Sequence, residues 1–197
     1  MSDIICITSR KLCKEDFLQR IEKIAKAHPA AIVLREKDMS VDEYRSLAQS
    51  VAEICKNHNT RCFFHTFADV AKDMGAHAIH LPLPILKSLT EIERKYFTML
   101  GSSCHSVEDA VLAEKLGCTY ITAGHIFETD CKKGVPARGI EFLREICKSV
   151  SIPVYAIGGI DKNNYMYAIN AGAKGVCVMS GAMTCPDPKI YFNEFKA

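Results

Sequence analysis

The chain has 197 residues, 48% of them hydrophobic and 24% charged, a size and composition that suit one globular domain with a full core and leave no room for two comfortable ones. Lysine and arginine total 25 against 23 acids, a net charge of +2 with no basic run, so no nucleic-acid footprint is present. The ten cysteines are scattered, with no Cys-x-x-Cys pair and no zinc-like spacing, which points to a reducing, cytoplasmic setting. The amino terminus carries no basic stretch leading into an apolar segment, so no signal peptide is expected. No apolar run approaches the roughly 18 residues of a membrane span, so no membrane partner is expected either.

The apolar run Ile4 to Thr8 predicts a first buried strand. A helix over Glu15 to Ala27 follows, with Phe17, Leu18, Ile21, Ile24 and Ala25 at helical spacing, stopped by His28-Pro29. Ala30 to Leu34 is a second strand, ending at Arg35-Glu36-Lys37. Ser40 caps a long helix to about Lys56, with Glu43 at the capping-box position. Arg61 to Phe64 is a third strand, and Phe67 to Met74 a short helix closed by Gly75. Ala78 to Leu81 is the fourth strand, with His80 inside it as a structural residue; a weak helix over Leu86 to Arg94 follows. Phe97 to Gly101 is the fifth strand, ending at Ser102-Ser103-Cys104-His105, and Ser106 caps the next helix. Cys118 to Ala123 is the sixth strand. Gly139 to Lys148 is a helix, Pro153 to Ile157 a strand, and Asp161 caps a helix that Gly172 ends. Gly175 to Met179 is the last strand, and a helix starts near Asp187.

Strand and helix alternate eight times without a break, and continuously apolar strands indicate a parallel sheet covered on both faces. Eight units close as a single (β/α)₈ TIM barrel over residues 1–197, near the short limit for that fold. A doubly wound open sheet is the rival, but its nucleotide fingerprint is missing, because Gly158-Gly159 follows the seventh strand and not the first.

In a barrel, ligands bind where the strands' carboxyl ends meet the loops, and the chemistry-bearing residues gather there. His125 stands one residue past a glycine at the sixth strand's end, and Thr129, Cys131, Lys132 and Lys133 follow it. An imidazole near its ordinary pKa can accept or return a proton at neutral pH, so His125 is the natural acid/base. Gly158-Gly159 and Ser180-Gly181 follow strands seven and eight, the usual barrel phosphate site, although tight turns alone would also call for such glycines. Arg35 is a candidate second anion clamp or the partner of a nearby acid, with Lys37 beside it. Cys131 has no base paired with it in sequence and reads as passive. His28, His58 and His77 read as surface or turn residues.

Together, Arg35-Glu36-Lys37, the Gly-x-Ser-x-His of Gly101 to His105, the loop Gly124 to Lys132 and Ala156-Ile157-Gly158-Gly159-Ile160 resemble the thiamine phosphate synthase/TenI superfamily, in register over nearly the whole chain. Within it, the run Gly124 to Gly134 looks like the thiazole tautomerase (TenI) branch; the synthase branch has proline where this chain has His125. The resemblance implies a (β/α)₈ barrel holding a thiazole phosphate. It would put the phosphate on Gly158-Gly159 and Met179-Ser180-Gly181, and the heterocycle against Thr129, Cys131 and Lys132. In the synthase branch it would put a pyrimidine's pyrophosphate on Arg35, Lys37, Ser103 and Lys132. The sequence departs from that branch where acids are expected: His65-Thr66 follows strand three, Leu81-Pro82-Leu83-Pro84-Ile85 contains no carboxylate, and Val33 replaces a glutamine. Magnesium needs hard oxygen ligands, so no metal is expected.

The expectation is therefore an aromatising thiazole tautomerase, an isomerase in which His125 moves a proton on a dihydrothiazole carboxylate phosphate, with no cofactor. A small-molecule thiazole phosphate would be its partner, and a homodimer is allowed. The alternatives are a thiamine phosphate synthase coupling the two thiamine precursors, or a non-catalytic regulatory barrel that binds a thiazole phosphate without turnover.

Overall fold

In the computed structural model, which describes residues 3–195, eight parallel strands close on themselves in sequence order. They are β1 Asp3–Ile7, β2 Ala31–Val33, β3 Cys62–His65, β4 Ala78–Pro82, β5 Met99–Cys104, β6 Tyr120–Gly124, β7 Val154–Ile157 and β8 Gly175–Val178. β8 returns to pair with β1, Val176 opposite Ile4 and Val178 opposite Cys6, so the sheet has no free edge. This is the (β/α)₈ barrel expected from the alternation, and the open-sheet rival is excluded by that closing pair.

The alternation of side chains along each strand builds two cores. In β1, Ile5 and Ile7 join Ala31, Val33, Phe63, Tyr120 and Cys177 in the barrel interior. Ile4 and Cys6 point the other way, into the layer shared with the helices. Those helices are α1 Phe17–Lys26, α2 Val41–Asn57, α3 Ala68–Asp73, α4 Leu83–Ser88, α5 Glu91–Tyr96, α6 Val107–Lys115, α7 Gly139–Ser149, α8 Tyr165–Asn170, α9 Ser180–Thr184 and α10 Pro188–Asn193. Ile21 and Ile24 of α1, Tyr44 and Val51 of α2, and Leu143 and Ile146 of α7 are fully sealed from solvent. Each such side chain is worth about 1.5–3 kcal/mol of transfer free energy, an upper bound because the unfolded chain is itself partly collapsed.

The caps of α2 and α6 are as the sequence indicates, and the helix expected near Asp187, α10, is capped by that residue. The Ser40 hydroxyl accepts from the Glu43 N–H while Glu43 accepts from Ser40 N–H; Ser106 accepts from Asp109, and Asp187 from Lys189 and Ile190. Elsewhere the structure corrects the reading. The single helix expected over Leu86 to Arg94 is two short ones, because Thr90 and Glu93 form a second capping box that starts α5 afresh. Phe97 ends α5, so β5 begins at Met99 and runs on to Cys104, which places Ser103 on a strand and not beyond it. Asp161 does not cap α8: its carboxylate accepts from the N–H groups of Asn163 and Asn164, and Asn164 is the residue that enters the helix. A short α9 follows β8 directly, ahead of the helix expected near Asp187, and Asp130–Lys132 forms one turn of 3₁₀ helix in the β6 loop. Among the described residues, no helix is long and apolar enough to cross a membrane.

Candidate active site

The carboxyl ends of the strands open into a cavity of about 520 Å³. All the candidate residues line it: Arg35 and Lys37 after β2, Ser103 in β5, and His125, Thr129, Cys131 and Lys132 after β6, with Gly158, Gly159, Met179, Ser180 and Gly181 after β7 and β8. One rim carries cations and the other carries glycines.

The cationic rim is built by a residue that the sequence reading passed over. Glu36, 3% exposed, accepts from the Thr8 hydroxyl at 2.8 Å and from the Arg10 N–H at 3.0 and 3.1 Å, and Arg10 Nε stands 3.5 Å away. Thr8 in turn accepts from the Arg35 N–H at 2.9 Å. Burial pushes the Glu36 carboxyl up, against the opposing pull of the Thr8 hydroxyl and the Arg10 backbone. The carboxylate thus ties the β1 loop to the β2 loop and aims its neighbours, Arg35 and Lys37, at the cavity. Arg10 takes the role of ion partner, which leaves Arg35 for the cavity. Among the described residues, no carboxylate lies within ion-pair distance of Arg35, Lys37 or Lys132. Burial, then the charges of Arg35 and Lys132, hold the Lys37 ammonium below its ordinary range. Three uncompensated cations sharing one cavity favour a multiply charged anion.

The glycine rim is set by close approach of backbones. A Cβ on Gly159 would stand 2.3 Å from the Glu128 carbonyl oxygen, and one on Gly158 2.2 Å from the His125 Cβ; both residues have positive φ, +65° and +99°. The β6 and β7 loops can zip together only because these side chains are absent: Ile126 N–H donates to Ile157 and Phe127 N–H to Gly158, at 2.9 and 3.0 Å. Gly181 is likewise dictated, since a Cβ there would meet the Tyr191 hydroxyl at 2.2 Å.

His125 lines the cavity but is 8% exposed, and its Nε2 lies 3.1 Å from the Val135 carbonyl. A carbonyl only accepts, so Nε2 carries the proton. The ring thereby holds the far end of the loop that presents Thr129, Cys131 and Lys132. His105 donates from Nδ1 to the Gly124 carbonyl at 2.8 Å and also lines the cavity, with Asp109 beside it. Cys131 is exposed, and its N–H donates to the Thr129 hydroxyl at 3.3 Å, the turn that sets the loop's tip.

Two further histidines lie in the barrel interior beneath the cavity. His65 and His80 stack at 5.8 Å and 18°. Burial, then nearby positive charge, depresses them to about 2 and about 3, so both are neutral in the folded protein. His80 bridges the Tyr120 hydroxyl, 3.0 Å from Nδ1, and the Ser103 hydroxyl, 2.9 Å from Nε2.

Residues 4–182 match the family model described as thiamine monophosphate synthase. The thiamine-phosphate synthase of Fusobacterium nucleatum is 35% identical over 190 residues, covering 94% of this chain and 91% of that protein. The thiamine-phosphate synthase of Clostridium acetobutylicum is 32% identical over 182 residues, 90% of this chain and 85% of the relative. Among solved structures, thiamine phosphate pyrophosphorylase from Pyrococcus furiosus superposes with a TM-score of 0.84 at 29% identity, covering 98% of this chain and 93% of that one. These relatives overturn the tautomerase expectation. That reading rested on an eleven-residue loop, Gly124 to Gly134, and on the acids missing after strands three and four, whereas likeness over nine-tenths of the chain leads to proteins named as synthases. The isomerase assignment falls with it.

Proposed function

The chain belongs to the thiamine monophosphate synthase family, and from that membership we propose that it is a thiamine-phosphate synthase, a transferase that joins a pyrimidine bearing a pyrophosphate to a thiazole phosphate. The observation that supports this reading is the trio Arg35, Lys37 and Lys132, which lines the cavity without a carboxylate partner among the described residues. A displacement that expels pyrophosphate concentrates negative charge on the leaving group, and preorganised cations in a partly desolvated pocket stabilise that charge most where it develops. In this reading the pyrophosphate lies on the cationic rim. The thiazole phosphate takes the backbone N–H groups near Gly159 and Ser180-Gly181, beside Gly158 and Met179. Thr129 and Cys131 lie between the two ends. A ring nitrogen of the thiazole supplies the electron pair, the bond to pyrophosphate breaks with its electrons, and no proton need be removed, so His125 serves by holding the β6 loop.

Such a reaction invites a divalent cation on the pyrophosphate, and the residues here do not fit one. The ends of β3 and β4 present His65, Thr66, Pro82 and Leu83, none of them a hard anionic oxygen ligand. The carboxylate that lines the cavity, Asp109, already accepts from the His105 N–H at 2.8 Å. Among the described residues, no group of three or more His, Cys, Asp and Glu side chains could hold a metal ion. The positive charge is therefore assigned to the protein's own side chains.

Complementation provides the test. Expression in a bacterial strain lacking its thiamine-phosphate synthase should restore growth without thiamine, and a variant with Arg35, Lys37 and Lys132 all replaced by methionine should not. Failure of the wild-type chain to restore growth, with the protein present and folded, would count against the reading.

A further inference from the structure

The buried chain Tyr120–His80–Ser103 has a direction that the hydrogen-bond inventory fixes. Parallel registers place its parts side by side: His80 in β4 is level with Gly101 in β5, which is level with Tyr120 in β6. A Cβ on Gly101 would sit 2.1 Å from the Tyr120 ring and 2.5 Å from its hydroxyl. Glycine at 101 thus lets the phenol reach across β5 to His80 Nδ1. Edge-on contacts with Phe63 at 5.5 Å and Tyr155 at 5.8 Å hold the ring in place.

His80 is neutral and so has one N–H to give. Burial pushes the Tyr120 phenol above its ordinary range, so it keeps its proton. Among the described residues, the phenol has His80 Nδ1 as its sole hydrogen-bond partner, and the Ser103 hydroxyl has His80 Nε2 as its sole partner. If Nδ1 carried the proton, the buried phenol O–H would have no acceptor, which costs a full desolvation penalty. The consistent arrangement is Tyr120 O–H donating to Nδ1 and Nε2–H donating to the Ser103 oxygen. Among the described residues, the Ser103 hydroxyl proton then has no acceptor, and Ser103 lines the cavity.

We propose that Tyr120 and His80 form a one-way hydrogen-bond relay that makes the Ser103 hydroxyl a dedicated donor to an anionic oxygen in the cavity, so that both are positioning residues for the pyrophosphate end of the site. The proposal rests on the synthase reading for the identity of that anion. It places three neutral groups, none of them a base, beside the cations that supply the charge. Burial first, and then the positive charge of Lys37, disfavour protonation of His80, which keeps the relay in its neutral, directional state.

Titration calorimetry of the full chain with inorganic pyrophosphate, without added metal, tests it. Ser103→Ala should weaken binding about tenfold or more, the loss of a hydrogen bond to a charged group. Tyr120→Phe, which keeps the packed ring, should weaken it about three- to tenfold in the wild-type background and less than twofold on top of Ser103→Ala. Tyr120→Phe without effect, additive losses, or a wild-type protein that does not bind pyrophosphate would each overturn the relay. Should the double variant not fold, the nitrogen-15 shifts of the His80 ring in the wild type decide: an Nε2–H neutral tautomer supports the relay, and an Nδ1–H tautomer or an imidazolium at pH 7 removes it. Turnover of the two precursors is measured separately. Pyrophosphate binding with a non-additive cycle but no thiamine phosphate would retire the synthase reading and leave the relay; synthesis with additive losses would do the reverse.

Discussion

At the scale of single residues, the site's charge is shared by Arg35, Lys37 and Lys132, and burial, then the other two charges, hold the Lys37 ammonium below its ordinary range. A cation kept in such company without an acid is stabilised when an anion arrives. Lys37→Met should therefore weaken pyrophosphate binding about ten- to a hundredfold, as for a lost hydrogen bond to a charged group, and should raise the melting temperature or leave it unchanged. A large fall in melting temperature would assign Lys37 to the fold instead. Arg35, Lys37 and Lys132 were legible in the sequence because charged residues at strand ends of a barrel have few structural duties. Glu36 and His80 were not. Glu36 stands between two cations with nothing local to mark it, since its partners, Thr8 and Arg10, lie 28 and 26 positions away. His80 reads as a core residue, and its link to Ser103 depends on a register between β4 and β5 that no local pattern encodes.

At the scale of elements, the site depends on two loops touching. Gly159→Ala places a Cβ against the Glu128 and Phe127 carbonyls, rigid backbone rather than a side chain that can swing away, at a φ that L residues rarely adopt. It should cost about 1–3 kcal/mol of stability and displace the β6 loop. Denaturant unfolding checks the first, and weaker binding of thiazole phosphate the second; a variant as stable and as tightly binding as wild type would contradict the close approach. The ends of β3 and β4 carry the departure from a metal-binding site. Pyrophosphate affinity should accordingly stay within a few-fold when EDTA replaces millimolar magnesium, and a steep magnesium requirement would contradict the assignment of charge to the cationic rim. Helix boundaries were the least legible features. Thr90-x-x-Glu93 repeats the Ser40-x-x-Glu43 signal, yet the intervening residues still suggested one continuous helix, and only the competing cap divides α4 from α5.

At the scale of the whole molecule, the fold was readable because most strands are largely apolar and every unit repeats, while the reaction was not. A short loop motif pointed to proton transfer, and the balance of the chain points to coupling. The barrel's interior also sets an acid limit. His65 and His80 are depressed from about 6.5 to about 2 and about 3, so the unfolded chain takes up protons that the folded chain refuses. Their contribution to stability is present above pH 6.5 and is lost as pH falls toward the folded values, by about 2 kcal/mol for each histidine at pH 5. Unfolding midpoints should drop between pH 7 and pH 5, and His65→Asn should flatten the slope; an unchanged slope would mean that His65 is not buried neutral.

The central claim is that this cavity couples two phosphorylated precursors and releases pyrophosphate. The most direct measurement is to incubate purified protein with the pyrimidine pyrophosphate and the thiazole phosphate and to quantify both products by mass spectrometry and a pyrophosphate assay. The account predicts thiamine phosphate and pyrophosphate in equal amounts over many turnovers, both strongly reduced in Lys37→Met. Binding of both precursors without either product would contradict it.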